Sequence, residues 1–123
     1  MPLRTTDRLL DPSELDEVSE KYIIFYSSKD ADGKLWCPYC RAIDSGPGGV
    51  QDTFGKANGP SALIAYVGTK LEWKRPAEHR YRSEPWNVTG VPTLVKLEEG
   101  KITHLDINEE LEALSGIKRP KDA

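Results

Sequence analysis

Two short, unbroken apolar runs, Tyr22-Ile23-Ile24-Phe25-Tyr26 and Ala62-Leu63-Ile64-Ala65-Tyr66-Val67, constrain the fold more than any other feature of this chain. Neither alternates with polar residues, and both are rich in β-branched or aromatic side chains. A strand of that composition is apolar on both faces and belongs to a sheet covered on both sides, as parallel sheets are. The rest of the chain supplies the cover. Asp11-Pro12-Ser13-Glu14 combines an N-cap, a proline at the first helical position and an acid three residues after the cap, which predicts a helix running to about Glu20. Residues 28 to 35 are polar, hold Asp32-Gly33 and read as a loop; a second helix opens at Cys37. Gly46-Pro47-Gly48-Gly49 should break that helix and leave a second piece from Val50 to Ala57.

Residues 68 to 87 form a charged connection containing Trp73, Pro76, Pro85 and Trp86, with room for a short helix near Arg80. Residues 93–97 and 102–106, separated by Glu98-Glu99-Gly100-Lys101, read as an antiparallel hairpin. Asn108 is the expected cap of a last helix through Leu114, closed by Gly116, and residues 118–123 read as a frayed tail. The expectation is a single α/β domain over residues 1–123, with a central mixed sheet flanked by helices on both faces. The 123 residues suit one core and leave little room for a second.

Charge narrows the function. With 17 basic against 20 acidic residues, the chain has no positive field to gather phosphates, which argues against nucleic acid and anionic membrane as partners. The first ten residues carry Arg4, Asp7 and Arg8 where a leader would be apolar, and no segment is long enough without charge to span a bilayer, so the expected location is cytoplasmic. The chain has two cysteines, both within four residues, a spacing that cannot staple distant parts of a domain.

Cys37-Pro38-Tyr39-Cys40 is therefore read as chemistry. A dithiol reductant needs one thiolate to attack a disulfide and a second thiol near enough to resolve the product. Unpaired backbone N–H groups at a helix start favour an anion at Cys37, the sulfur expected to be exposed, while a spacing of three places Cys40 one turn inward on the same side. Pro38 is at no disadvantage there, because the N–H it lacks would have no helical partner. Tyr39 can shade the sulfur, contact substrate or simply face solvent. Zinc is the main competing reading of Cys-x-x-Cys, but only His79 and His104 could complete four ligands and no second cysteine pair exists. Both histidines are expected at the surface, and Trp73 and Trp86 in structural positions.

Trp36-Cys37-Pro38-Tyr39-Cys40, followed downstream by Gly90-Val91-Pro92-Thr93, resembles the thioredoxin superfamily. Ser28-Lys29-Asp30-Ala31-Asp32-Gly33-Lys34 before the motif, with Tyr66-Val67-Gly68-Thr69-Lys70 and Trp73-Lys74 after it, is similar to its small Clot-type members. The resemblance implies a thioredoxin fold, catalytic Cys37 (nucleophile) and Cys40 (resolving), and a cis Val91–Pro92 peptide facing the sulfurs. It also implies a substrate-binding rim of Trp36, Pro38, Tyr39, Val91 and Pro92. It implies a disulfide reductase with no bound cofactor and no metal, fed by NADPH through thioredoxin reductase. Its substrates would be restricted ones such as cystine, peroxiredoxins or particular protein disulfides, and the chain is expected to be a monomer.

Three departures stand out. Tyr39 occupies a place where the family usually has an acid. No carboxylate lies among Tyr22 to Tyr26, where thioredoxin keeps a buried one, so deprotonation of Cys40 must use water or another group. The helix after the motif is unusually rich in glycine. Two other readings compete. Cys-Pro-Tyr-Cys is also the motif of dithiol glutaredoxins, which would substitute the glutathione system as electron donor or, in a variant, a glutathione-ligated iron–sulfur cluster. Residues 97–106, however, offer only Gly100 in place of a glutathione-site Gly-Gly-Asp. A redox-independent binding module is the non-enzymatic alternative.

Overall fold

A computed structural model of the chain describes residues 3–75 and 79–118. Five strands form one mixed sheet: β1 (Leu3–Thr6), β2 (Tyr22–Tyr26), β3 (Ala62–Tyr66), β4 (Thr93–Glu98) and β5 (Lys101–Leu105), in the order β1-β3-β2-β4-β5. β3 runs parallel to both β1 and β2, and β4 runs antiparallel to β2 and β5. The helices are α1 (Pro38–Asp44), α2 (Val50–Phe54), α3 (Lys70–Trp73) and α4 (Ile107–Ser115). Single 3₁₀ segments lie at Pro12–Glu17 and Arg80–Arg82. The architecture is the expected one, a mixed sheet with helices on both faces.

The two apolar runs are the middle of that sheet, and their alternation divides two cores. Tyr22, Ile24, Tyr26, Ala62 and Ile64 pack with Cys40, Ile43, Val50, Phe54 and Leu111 beneath α1, α2 and α4. Ile23, Phe25, Leu63 and Ala65 pack on the opposite face with Trp73, Tyr81, Trp86 and Val88. The second face is an aromatic cluster in which Phe25, Tyr81 and Trp86 meet edge to face at centroid distances of 4.9–6.0 Å. The Tyr81 hydroxyl accepts the Leu10 backbone N–H at 2.6 Å and so ties the segment after β1 to this cluster.

Several elements differ from expectation. β1 is absent from the sequence reading because Arg4, Thr5 and Thr6 look polar; it is a short edge strand with Arg4 exposed and paired to the buried Glu20. The helix expected to reach Glu20 is a 3₁₀ segment ending at Glu17, although the capping box from Asp11 to Glu14 is present. Asp106, not Asn108, caps α4, accepting the Glu109 N–H at 3.0 Å; Gly116 closes it at φ 75°. Helix α2 stops at Phe54, short of Ala57. The hairpin turns through Glu99 (φ 51°) and Gly100 (φ 76°), two successive positive values as a type I′ turn requires. The expected helix break is a built turn. Gly46 and Gly48 have positive φ, and a Cβ on Gly49 would stand 2.8 Å from the carbonyl oxygens of Ile43 and Ser45. Pro76 and residues 119–123 of the expected tail lie outside the described residues.

Candidate active site

The site is made by pairing between distant parts of the chain. Antiparallel register sets Phe25 opposite Thr93, so the carboxyl end of β2 meets the amino end of β4. From β2 the chain runs through residues 28–35, a loop folded back on itself. A Lys29–Leu35 bridge closes it, and the Asp30 carboxylate accepts the N–H groups of Asp32 (2.9 Å) and Lys34 (3.2 Å). That fold returns Trp36 to Ser28, whose carbonyl accepts the Trp36 N–H at 3.2 Å, and delivers Cys37 to the start of α1. On the other side, the Val91–Pro92 peptide immediately before β4 is cis.

Cys37 is the N-cap of α1, with extended backbone, Pro38 in the first turn and Cys40 one turn inward. Both cysteines are free thiols. The Cys37 S–H donates to the Val91 carbonyl at 3.5 Å, across 54 residues of sequence. Val91 and Trp36 pack against the cluster that holds both cysteines, and the Trp36 indole N–H donates to the Gly68 carbonyl at 2.8 Å. Cys37, Cys40, Trp36 and Val91 are thus brought together. Pro92 is half-buried beside Val91, and Pro38 and Tyr39 face solvent, Tyr39 at 69% exposure.

Two expectations are corrected. Cys37 is not the open sulfur that a helix-start position suggested. It is 6% exposed, against 0% for Cys40, because Val91, 54 residues further along the chain, meets it, and the adjacent Trp36 packs against the same cluster. His79 is likewise buried, not superficial. Its Nδ1 accepts the Tyr81 N–H and its Nε2 donates to the Val67 carbonyl, while Trp73 meets its ring edge-on. His104 is exposed, with Nε2 bonded to the Trp86 carbonyl at 2.8 Å. Among the described residues, no group of three or more histidine, cysteine or acidic side chains is placed to hold a metal ion.

Sequence reasoning missed Ser27, which is fully buried between the two cysteines. Its backbone N–H donates to Cys40 Sγ at 3.5 Å, and its hydroxyl oxygen accepts the Cys37 N–H at 3.1 Å. The available signal was a polar residue at the carboxyl end of a buried parallel strand, where open α/β sheets place their sites. A hollow of about 510 Å³ lies along α1, lined in part by Lys29, Lys34, Arg41, Asp44 and Tyr66 and by neither cysteine.

Burial pushes the Cys40 thiol up from 9.0 to about 12, partly opposed by hydrogen bonds from Ser27. Burial also raises Tyr26, whose hydroxyl donates to Asp44 Oδ1 at 3.2 Å, and Tyr81. These groups hold their protons to higher pH when folded than when unfolded. Above about pH 9 the unfolded chain therefore binds fewer protons, and stability, full below that value, declines as pH climbs toward about 12. The urea midpoint of the reduced protein should fall between pH 8.5 and 11, and fall less steeply in Cys40→Ser. A midpoint independent of pH over that range would contradict the assignment.

Comparison with known proteins shows the family. Residues 6–113 match the family model for the thioredoxin domain of thioredoxin domain-containing protein 17-like proteins. The chain is 34% identical over 101 residues to a rice (Oryza sativa subsp. japonica) protein named thioredoxin-like protein Clot, an alignment covering 76% of this chain and 70% of that protein. It is 36% identical over 75 residues to human thioredoxin domain-containing protein 17, covering 61% of this chain and 58% of that one.

Proposed function

Because the chain belongs to the thioredoxin domain-containing protein 17-like thioredoxin family, we propose that it is a thiol–disulfide oxidoreductase working through Cys37 and Cys40. The observation that carries this reading is a pair of free thiols in the first turn of α1 with a backbone carbonyl, that of Val91, set against the outer sulfur. Cys37 Sγ attacks one sulfur of a substrate disulfide. The S–S bond of the substrate breaks, its other half leaves as a thiol, and a mixed disulfide forms on Cys37. Cys40 then attacks Cys37 Sγ, the second half leaves as a thiol, and the chain is left with a Cys37–Cys40 disulfide. An external reductase supplies two electrons to restore the dithiol.

Val91, Pro92, Trp36, Pro38 and Tyr39 form the substrate rim in this reading. The near-closure of Cys37 supports restricted substrates, because a partner must reach past Val91 and Trp36 to touch the sulfur. Cystine and particular protein disulfides, including peroxiredoxins, are the proposed class, and NADPH by way of thioredoxin reductase is the proposed electron source. The protein itself holds no redox cofactor in this scheme and works as a monomer in the cytoplasm; no helix among the described residues is long and apolar enough to cross a membrane.

The test is NADPH consumption with thioredoxin reductase and cystine, run beside hydroxyethyl disulfide reduction with glutathione and its reductase. Turnover in the first assay and little in the second is the expected result. The reverse order would transfer the protein to a glutathione-linked role, and silence in both, from folded and reduced protein, would favour a redox-independent binding module.

A further inference from the structure

Cys40 faces a difficulty that the sequence makes plain and the fold answers. To resolve the mixed disulfide it must lose its proton, yet it is wholly buried and no carboxylate lies on β2 beneath it. The titratable groups around it are Cys37 on α1 and Tyr26 on β2, whose hydroxyl is committed to Asp44 of α1. Neither is an anion-stabilising partner: one becomes a disulfide sulfur during the reaction, and the other donates elsewhere.

Ser27 is the remaining polar contact. Its backbone N–H already points at Cys40 Sγ at 3.5 Å. Its hydroxyl oxygen accepts the Cys37 N–H at 3.1 Å, which fixes the side chain and leaves its own O–H to be placed. In a fully buried site that proton needs an acceptor, and the Cys40 sulfur is the one beside it. One residue would thus offer the sulfur two donors while holding the backbone of the other cysteine.

We propose that Ser27 is a positioning residue for the resolving step, using its N–H and O–H to stabilise the developing Cys40 thiolate while anchoring Cys37. The inference rests on the dithiol-exchange reading. In the step concerned, the Cys40 thiolate forms a bond to Cys37 Sγ, the bond from Cys37 to the substrate sulfur breaks, and the departing thiolate takes up, through solvent, the proton that Cys40 released. The charge lasts only until that bond forms, and donors held in a buried site act on it without reorganisation.

The experiment follows capture and resolution separately, with reduced protein and cystine, by quenching and mass measurement across pH. In Ser27→Ala the ratio of resolution rate to capture rate should fall by about tenfold to a hundredfold, and the pH profile of resolution should move to higher pH. Ser27→Gly, which also lacks the hydroxyl, should behave alike, and Ser27→Thr should recover the ratio. An unchanged ratio and profile, or equal losses in both steps, would overturn the role of Ser27 while leaving dithiol exchange intact. Wild-type protein that forms neither a mixed disulfide nor a Cys37–Cys40 disulfide with cystine would overturn both.

Discussion

Cys37→Ser should reduce no disulfide above background, whereas Cys40→Ser should still react once and then stop, carrying its substrate on Cys37. The two results differ because the sulfurs stand differently. Cys37 caps α1 and meets the Val91 carbonyl at the mouth of the site. Cys40 is fully buried, and its thiol is held protonated by that burial. A serine hydroxyl at position 37 is far less nucleophilic than a thiolate at neutral pH, so loss of turnover should be complete, not partial. At position 40 the hydroxyl cannot attack the mixed disulfide, and the adduct persists. Far-ultraviolet circular dichroism of both variants should match the wild type, since sulfur to oxygen changes little volume.

The largest effect on stability is expected at Trp86. Its side chain is fully buried, with ring centroids 6.0 Å from Phe25 and 5.4 Å from Tyr81, so it fills the face of the sheet opposite the cysteines. Trp86→Ala should cost about 3–5 kcal/mol, the usual range when a large buried aromatic leaves a cavity. Urea denaturation should detect it as a lower midpoint with nearly the same slope. The effect should extend to catalysis, because Trp86 and Val88 pack in the cluster against which Val91 also rests. A loss under about 1 kcal/mol would mean that the cavity collapses freely and that this face is not the rigid support described.

What the sequence disclosed, and what it did not, separates by the range of the interactions involved. β2, β3 and the hairpin were legible because their signals are local: unbroken apolar runs and a turn rich in charge and glycine. The pairing of Cys37 with Cys40 was legible because a spacing of three suffices on one helical turn. β1 was not, since an edge strand presents Arg4 and Thr5 to solvent and depends on β3 for its partner. The single-turn helix α3 carried a readable capping box in Thr69-Lys70-Leu71-Glu72, which went unused because the surrounding charge suggested a plain connection.

Burial was the least legible property. Cys37 looked open because helix starts usually are; Val91, brought over by the antiparallel pairing of β2 with β4, covers it. His79 looked superficial among charged neighbours, but the Val67 carbonyl and the Trp73 ring enclose it. Ser27 carried no motif, and its place between the cysteines follows from where β2 ends relative to the first turn of α1.

The most direct measurement is peptide mapping, by mass spectrometry, of Cys40→Ser after reaction with cystine. A half-cystine adduct confined to the peptide containing Cys37, absent from the Cys37→Ser variant and released by dithiothreitol, is the predicted result. A Cys40→Ser protein that remains unmodified while wild-type protein turns over, or an adduct found on Cys40 in Cys37→Ser at the same rate, would contradict Cys37 as the attacking sulfur.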